Sequence, residues 1–346
     1  MKVVGITGSY GKTTTKEILH LVLSNKFKTI ATQKNYNSDI GVANTINEHL
    51  GALTDVFIVE MGAYKRGEIE AICDIVKPDI SILTSISEQH LALFGNIEST
   101  LKAKYEIIEN SKPEAIVILN GDDDLVLRIA GKSDKKEFLY STRKEVDLWV
   151  SDIKSKNDNL VFNVHYKDQV KRFEVRILGE HNISNILAAT LAALNLGMSL
   201  DEIAEALKKG SKTKHIGRIT VKKSKFGYKV IDDSYNSNAD GFSAALDYLN
   251  NFEADKKYLV TIGIIELGDS RQRIYNKLGE EIIKVCDGLI TSDQKLVEFV
   301  KKYNSKFNII YDKGIQKQLN FLRNDIKKND VVLFEGPNLR LIQEIV

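Results

Sequence analysis

A short apolar run that ends in glycine and hands over to a helix constrains this chain more than any other feature. Residues 2–24 read KVVGITGSYGKTTTKEILHLVLS. The β-branched start predicts a strand over Lys2–Ile6. Ile18, Leu19, Val22 and Leu23 recur at the helical period and predict a helix over Thr13–Ser24. Between them lie Gly8 and Gly11, followed at once by Lys12 and Thr13. Strand, glycine-rich turn, Lys-Thr and helix is the order that a phosphate-binding loop requires. Glycines bring backbone N–H groups close to phosphate oxygens, and the helix aims its positive end at the same place. Gly8, Ser9, Gly11, Lys12, Thr13 and Thr14 are therefore the candidate phosphate-binding residues, with the Thr13 hydroxyl placed to join a Mg²⁺ shell. The spacing departs from the common eight-residue form, because Ile6 stands where its first glycine would be. Kinases, GTPases, motors and ligases all use such loops, so the loop alone leaves the reaction open.

The alternation of strand and helix continues. Apolar runs at Val56–Met61, Ile80–Ser85 and Ala115–Leu119 are separated by helical patterns, which predicts a mostly parallel sheet covered on both faces. From about Phe138 to Ile177 the pattern changes to short alternating strands (LWVSDI, NLVFNVHY, VKRFEVRIL), read as an antiparallel appendage to that sheet. Helices over Asn182–Leu196 and Ser199–Lys209 follow. Lys208–Lys214 is basic and polar with no large apolar side chain, and is expected to be a linker. Beyond it the alternation restarts with Tyr228–Ile231, Phe242–Asn250, Tyr258–Ile262, a helix over Arg273–Val285, Gly288–Thr291 and Val331–Phe334. The fold class is α/β. Residues 1–212 form a phosphate-loop parallel-sheet unit with a short antiparallel appendage, and residues 213–346 a smaller Rossmann-like α/β unit.

Composition excludes several classes. Of 346 residues, 49 are basic and 47 acidic, and a net charge of +2 gives no case for a nucleic-acid partner. Cys73 and Cys286 lie far apart in apolar stretches, so buried reduced thiols are expected rather than a disulfide framework or a zinc site. No apolar run is long enough to span a bilayer, and the opening MKVVGITGS is not a signal peptide. The chain reads as cytoplasmic.

Parallel sheets present ligands at the carboxyl ends of their strands. Glu60 closes the run VFIVE there, where an acid has little packing reason to be. His90 lies just beyond the next strand, in ILTSISEQHL. Together a carboxylate and an imidazole could reach a divalent cation. Mg²⁺ prefers oxygen, however, and His90 by itself reads as a hydrogen-bonded loop residue. Lys104, in KAKYE near a helix start, reads by itself as a solvated surface lysine. Asn182 in HNISN reads as a helix cap, and the double acid of IDDSYN as a strand ending in unpaired carboxylates.

Taken together and in order, TGSYGKTTTKE, NYNSDIG, VEMGA, QHL with its following FG, KAKYE, LGEHNISNILAA, GR, IDDSYNSN and EGPN resemble the central and C-terminal domains of the Mur ligases. The likeness spans nearly the whole chain. SYGKTTTKE, the FG after His90, DDSYNSN and IELGDS look most like the MurF branch, which adds D-alanyl-D-alanine to UDP-N-acetylmuramoyl-tripeptide. The resemblance implies a catalytic set of Lys12, His90 and Lys104. Lys12 and Thr13 would hold ATP phosphates and Mg²⁺, with Glu60 and His90 as metal ligands. Lys104 would be carbamylated, supplying the anion for a second Mg²⁺. Asn182 and Asn185 match positions near adenine; Arg218 and Asp233 match groups that reach the nucleotide from the second domain. Asn37, Ser234, Tyr235, Asn236 and Asn238 would face the substrates.

The implied reaction is ATP-dependent and ADP-forming. A substrate carboxylate attacks the γ-phosphate, and an amine such as D-Ala-D-Ala then attacks the acyl phosphate. Closure about Lys208–Lys214 would exclude water. The family carries a further N-terminal domain that grips the UDP-sugar. With the loop beginning at residue 8, that domain is expected to be missing, or a different segment or partner to supply the carrier site. Two departures from the MurF pattern stand out: Ala239 in place of proline, and His215-Ile216 in place of a proline before Gly217. A Mur-type amide ligase acting on another carrier or a poly-amino acid is one alternative. A nucleotide-dependent binding module without turnover is the other.

Overall fold

The computed structural model of the chain describes all residues except 34–35, 88–95, 157–158, 214–215, 218, 235–236, 238, 265–266 and 268–269. The described residues divide into two compact units, the first within residues 1–217 and the second within 218–346.

In the first unit, nine strands form one sheet in the order β2-β3-β1-β4-β5-β6-β7-β8-β9. These are β1 (Lys2–Thr7), β2 (Thr29–Ala31), β3 (Val56–Glu60), β4 (Ile80–Leu83), β5 (Ile116–Asn120), β6 (Lys136–Ser141), β7 (Leu148–Lys156), β8 (Asn159–Tyr166) and β9 (Gln169–Arg176). Pairing is parallel from β2 across to β7. Helices cover both faces, which is why VFIVE in β3 is buried along its whole length rather than alternating. On one face Val4, Ile6, Ile58 and Ile82 pack with Ile18, Leu19 and Val22 of α1 (Lys12–Leu23) and with Ile183, Ile186 and Leu187 of α6 (Asn182–Asn195). On the other, Val3, Phe57, Val59 and Leu83 meet α2 (Asp39–His49), α3 (Glu68–Ile75), α4 (Ile97–Glu109) and the short α5 (Asp124–Leu127). β1 lies between β3 and β4, so strand order reverses at β1 and opens a crevice at its carboxyl end.

Two expectations change here. Phe138 lies in β6, which pairs parallel with β5, so the antiparallel appendage begins only at β7. A two-residue hairpin can join only antiparallel neighbours, and β8 and β9 are joined by Lys167 and Asp168 alone. The stretch expected as a linker instead continues α7 (Leu200–Thr213) as far as it is described, Lys214 lying outside the described residues. Its small residues are packing devices. A Cβ at Gly210 would collide with Leu21, and the buried Ser211 hydroxyl accepts the Arg176 N–H at 3.0 Å. The lysines Lys208, Lys209 and Lys212 occupy the polar side of a helix, not a disordered spacer.

The second unit is a six-stranded sheet in the order β10-β11-β15-β12-β13-β14. Its strands are β10 (Thr220–Lys223), β11 (Lys229–Asp233), β12 (Lys257–Thr261), β13 (Gly288–Thr291), β14 (Asn308–Tyr311) and β15 (Val331–Glu335). Only the β10–β11 pair is antiparallel. Helices α8 (Ala239–Asn250), α9 (Arg271–Val285), α10 (Gln294–Tyr303), α11 (Gln316–Asn324) and α12 (Leu339–Ile345) complete it. The edge strands β2, β10 and β14 have three or four residues each, too few to show a period in the sequence. Cys73 and Cys286 are both free and buried, and burial pushes the Cys73 thiol up to about 12. Among the described residues, no helix is long and apolar enough to cross a membrane.

Candidate active site

At the end of β1 the backbone passes through Gly8 at φ 146° and Gly11 at φ 85°. Space as well as dihedral demands glycine. A Cβ on Gly8 would strike the Thr84 hydroxyl, and one on Gly11 the Asn185 side-chain oxygen. The segment after β4 braces the loop: Ser9 N donates to Ser85 O at 2.8 Å, Tyr10 N to Ser85 Oγ at 2.9 Å, and Thr84 Oγ1 to Tyr10 O at 2.5 Å. Ser87 N donates to Ser9 Oγ at 2.9 Å. Gly11 caps α1 without any side-chain hydrogen bond, so the first-turn amides, including those of Thr13 and the buried Thr14, meet no side-chain cap. Lys12 folds back over the loop, its Nζ 2.6 Å from Gly8 O. An open helix N-terminus with an ammonium above it is an anion site. Thr84, Ser85 and Ser87 carried no recognisable signal in the sequence.

Glu60, the last residue of β3, is buried, and its carboxylate bonds to α1 and to the loop before α2. Its Oε1 accepts from the Thr13 hydroxyl at 3.0 Å and from Asn37 Nδ2 at 3.2 Å. Its Oε2 accepts from Lys16 Nζ at 3.0 Å. Sequence reading missed Lys16. It stands three residues before Leu19 and seven before Leu23, on the apolar stripe of α1, and that register was the available signal. Asn37 in turn receives Gly62 N on its backbone oxygen at 2.7 Å, tying the loop before α2 to the end of β3.

Lys104 is not a surface lysine. It lies in the middle of α4, 4 % exposed, with Nζ 3.4 Å from Ala63 O. Burial, and after it the nearby Lys12 ammonium, lowers its pKa to about 7. A buried lysine in that range is part neutral amine at physiological pH, the form that acts as a nucleophile.

The cap position of α6 falls on His181, not on Asn182. Asn182 Nδ2 donates to Leu178 O at 2.7 Å, and its Oδ1 accepts from Asn185 Nδ2 at 2.9 Å. Asn185 Oδ1 accepts from Thr15 Oγ1 at 3.2 Å, so this asparagine pair ties α6 to the loop helix. The Tyr10 and His181 rings lie 5.9 Å apart beside them.

In the second unit, Asp233 ends β11 in register with Glu335 at the end of β15, and both are buried. Ser237 Oγ donates to Glu335 Oε1 at 2.8 Å, and Gly336 N donates to Asp233 O at 3.1 Å. Glu335 closes the run VVLFE as Glu60 closes VFIVE, the pattern by which it could have been found. Asp232, expected to be unpaired, takes Lys222 Nζ at 2.7 Å and Ser234 Oγ at 2.6 Å. The antiparallel strand β10, which sequence reading overlooked, supplies that lysine.

His90, Arg218, Tyr235, Asn236 and Asn238 lie outside the described residues. Among the described residues no three His, Cys, Asp or Glu side chains converge as a metal cluster.

Two family models account for most of the chain: the Mur ligase middle domain over residues 6–193 and the Mur ligase glutamate ligase domain over 217–338. The UDP-N-acetylmuramoyl-tripeptide–D-alanyl-D-alanine ligase of Bacillus subtilis is 29 % identical over 100 % of this chain and 75 % of its own length. Its counterpart from Synechocystis is 32 % identical over 83 % of this chain and 61 % of its own length. MurF from Acinetobacter baumannii superposes with a TM-score of 0.89 at 28 % identity, over 99 % of this chain and 76 % of that one. MurF ligase from Thermotoga maritima, solved in complex with ADP, gives 0.86 at 29 %, over 99 % and 78 %. With both domain models matched in order and the phosphate loop, Glu60 and Lys104 gathered at the carboxyl ends of β1 and β3, this chain belongs to the Mur ligase family.

Proposed function

We propose that this chain is an ATP-dependent, ADP-forming amide ligase of peptidoglycan-precursor synthesis that joins D-alanyl-D-alanine to a UDP-N-acetylmuramoyl-tripeptide. The observation that carries the reading is Lys104, buried beside the Lys12 charge with its pKa lowered to about 7. Ordinary phosphate-loop chemistry has no use for such a group. An acyl-phosphate-forming ligase has one, because carbamylation makes it an anion. The neutral Lys104 nitrogen attacks CO₂, an N–C bond forms, and one proton leaves for solvent. The nearby Lys12 ammonium favours the resulting carbamate.

The donors present suit Mg²⁺. Glu60 Oε1 and Thr13 Oγ1 stand 3.0 Å apart, an oxygen pair of the kind a hard cation takes while keeping water and phosphate. Glu60, Thr13, His90 and a carbamylated Lys104 would hold two Mg²⁺, which neutralise phosphate charge when bound. The loop amides and Lys12 orient the triphosphate of ATP. Asn182 and Asn185 border the base, and Asn37 borders the peptide substrate. Attack of the substrate carboxylate on the γ-phosphorus forms the acyl phosphate and releases ADP. The amine then adds to the acyl carbon, and phosphate leaves from the tetrahedral intermediate. Arg218 and Asp233 would serve the nucleotide, and Ser234, Tyr235, Asn236 and Asn238 the amine.

Phosphate release measured over a panel of carboxylates and amines tests this. UDP-N-acetylmuramoyl-tripeptide with D-Ala-D-Ala is expected to stimulate release, and Lys12→Ala to abolish it. Stimulation only by another carrier, or undiminished turnover in Lys12→Ala, overturns the reading.

A further inference from the structure

Lys16 is an ammonium inside the first unit. It and Glu60 are 4 % and 2 % exposed, and they meet at 3.0 Å. A buried carboxylate must either find a counter-charge or give up its own. Lys16 supplies that counter-charge from within the protein.

It also divides the carboxylate. Oε2 is committed to Lys16, whereas Oε1 is the oxygen on which Thr13 and Asn37 converge. The Glu60 backbone is fixed as well, its N–H donating to Thr32 Oγ1 at 3.0 Å. Lys12 stands one helical turn before Lys16 on α1, and Lys104 is influenced by the Lys12 charge. Glu106, the other buried acid acting on Lys104, is already held by the Gly67 and Glu70 amides and by Arg66. A divalent cation approaching Glu60 on the bare loop therefore meets the Lys12 and Lys16 ammoniums, two positive charges against that one carboxylate. The phosphates of a nucleotide reverse that balance.

We propose that Lys16 is a positioning residue that holds Glu60 half-satisfied, so that a divalent cation binds this carboxylate only together with nucleotide. The proposal rests on Glu60 being a metal ligand, as argued above. Its consequence is an order of assembly, in which free metal does not occupy the loop ahead of the triphosphate and ATP brings its cation with it.

The test uses Mn²⁺ as probe on the full chain, followed by electron paramagnetic resonance and by titration calorimetry, with and without ADP. Nucleotide-free wild type is expected to bind Mn²⁺ poorly. Lys16→Met, and Lys16→Gln, which keeps a hydrogen bond to Glu60 but not the charge, should bind it about 10–100-fold more tightly without ADP. Lys16→Arg should behave as wild type. Adding Glu60→Gln to Lys16→Met should erase the gain. Micromolar Mn²⁺ uptake by the nucleotide-free wild type, or unchanged nucleotide-free affinity in the folded neutral variants, overturns the proposal. Glu60→Gln separates it from the reading beneath it. If that variant retains full affinity for Mn²⁺ with ADP, Glu60 is no ligand and both fall. If it loses affinity while the Lys16 variants change nothing, only the role of Lys16 falls.

Discussion

Glu60 near the loop of the first unit and Asp232 in the second each hold a lysine ammonium, at 3.0 and 2.7 Å. In sequence the two look alike, an acid directly after an apolar run. Side-chain exposure separates them: 4 % and 2 % for Lys16 and Glu60, against 44 % and 15 % for Lys222 and Asp232. Lys222 reaches Asp232 across an antiparallel pair at the sheet's edge, where water screens the interaction. Burial pushes the Asp232 carboxyl up, but Lys222 and Ser234 outweigh it and hold the group below its ordinary range. Lys16 reaches Glu60 from a helix packed on the sheet's centre, where little water is left to screen the pair. Similar bond lengths thus describe two different things, an edge ornament and an internal constraint.

The comparison can be broken experimentally. Glu60→Gln should lower ligase activity on the order of 10³-fold, since it removes the carboxylate that faces the phosphate loop; activity within a few-fold of wild type would place Glu60 with Asp232. Lys16→Met should cost about 3–5 kcal/mol in urea unfolding, because it leaves a buried charge unpaired. A loss below about 1 kcal/mol would mean that solvent reaches the pair.

Lys104 sharpens the same contrast through pH. Its ammonium falls from 10.5 to about 7 on folding, so between those values the unfolded chain binds more protons. Stability contributed by this site therefore rises with pH across that window, and the penalty is complete below it. In CO₂-free buffer the wild type should gain about 2 kcal/mol on Lys104→Met between about pH 7 and pH 9. A flat difference would show a solvated amine. The smallest effect belongs to Lys222→Ala, at most about 1 kcal/mol and weaker in high salt. A larger, salt-insensitive loss would move Asp232 into the company of Glu60.

Much of the first unit was legible because its signals are local. The loop is contiguous, Glu60 sits at the end of an apolar run, and the parallel sheet shows in the spacing of those runs. Features that needed partners distant in sequence were not legible. Lys208–Lys214 reads as a linker until Gly210 is seen against Leu21 and Ser211 against Arg176. Asn182 reads as a cap until His181 takes that position and Asn182 turns to Leu178. Glu335 was read only as the start of EGPN, and its pairing with Asp233, about a hundred residues away, exists only through strand register.

By itself the sequence determined the strand–loop–helix that ends in Lys12 and Thr13, the alternation that builds two α/β units, and the ordered motifs of the family. Backbone preference and hydrophobic period act over a few residues, and a linear reading captures them. Tertiary structure alone decided which charges are internal. It turned Lys104 from a surface lysine into a buried amine and paired Lys16 with Glu60. The reason is dielectric. A lysine has one pattern in sequence, but its proton affinity and its partner depend on the water that packing removes.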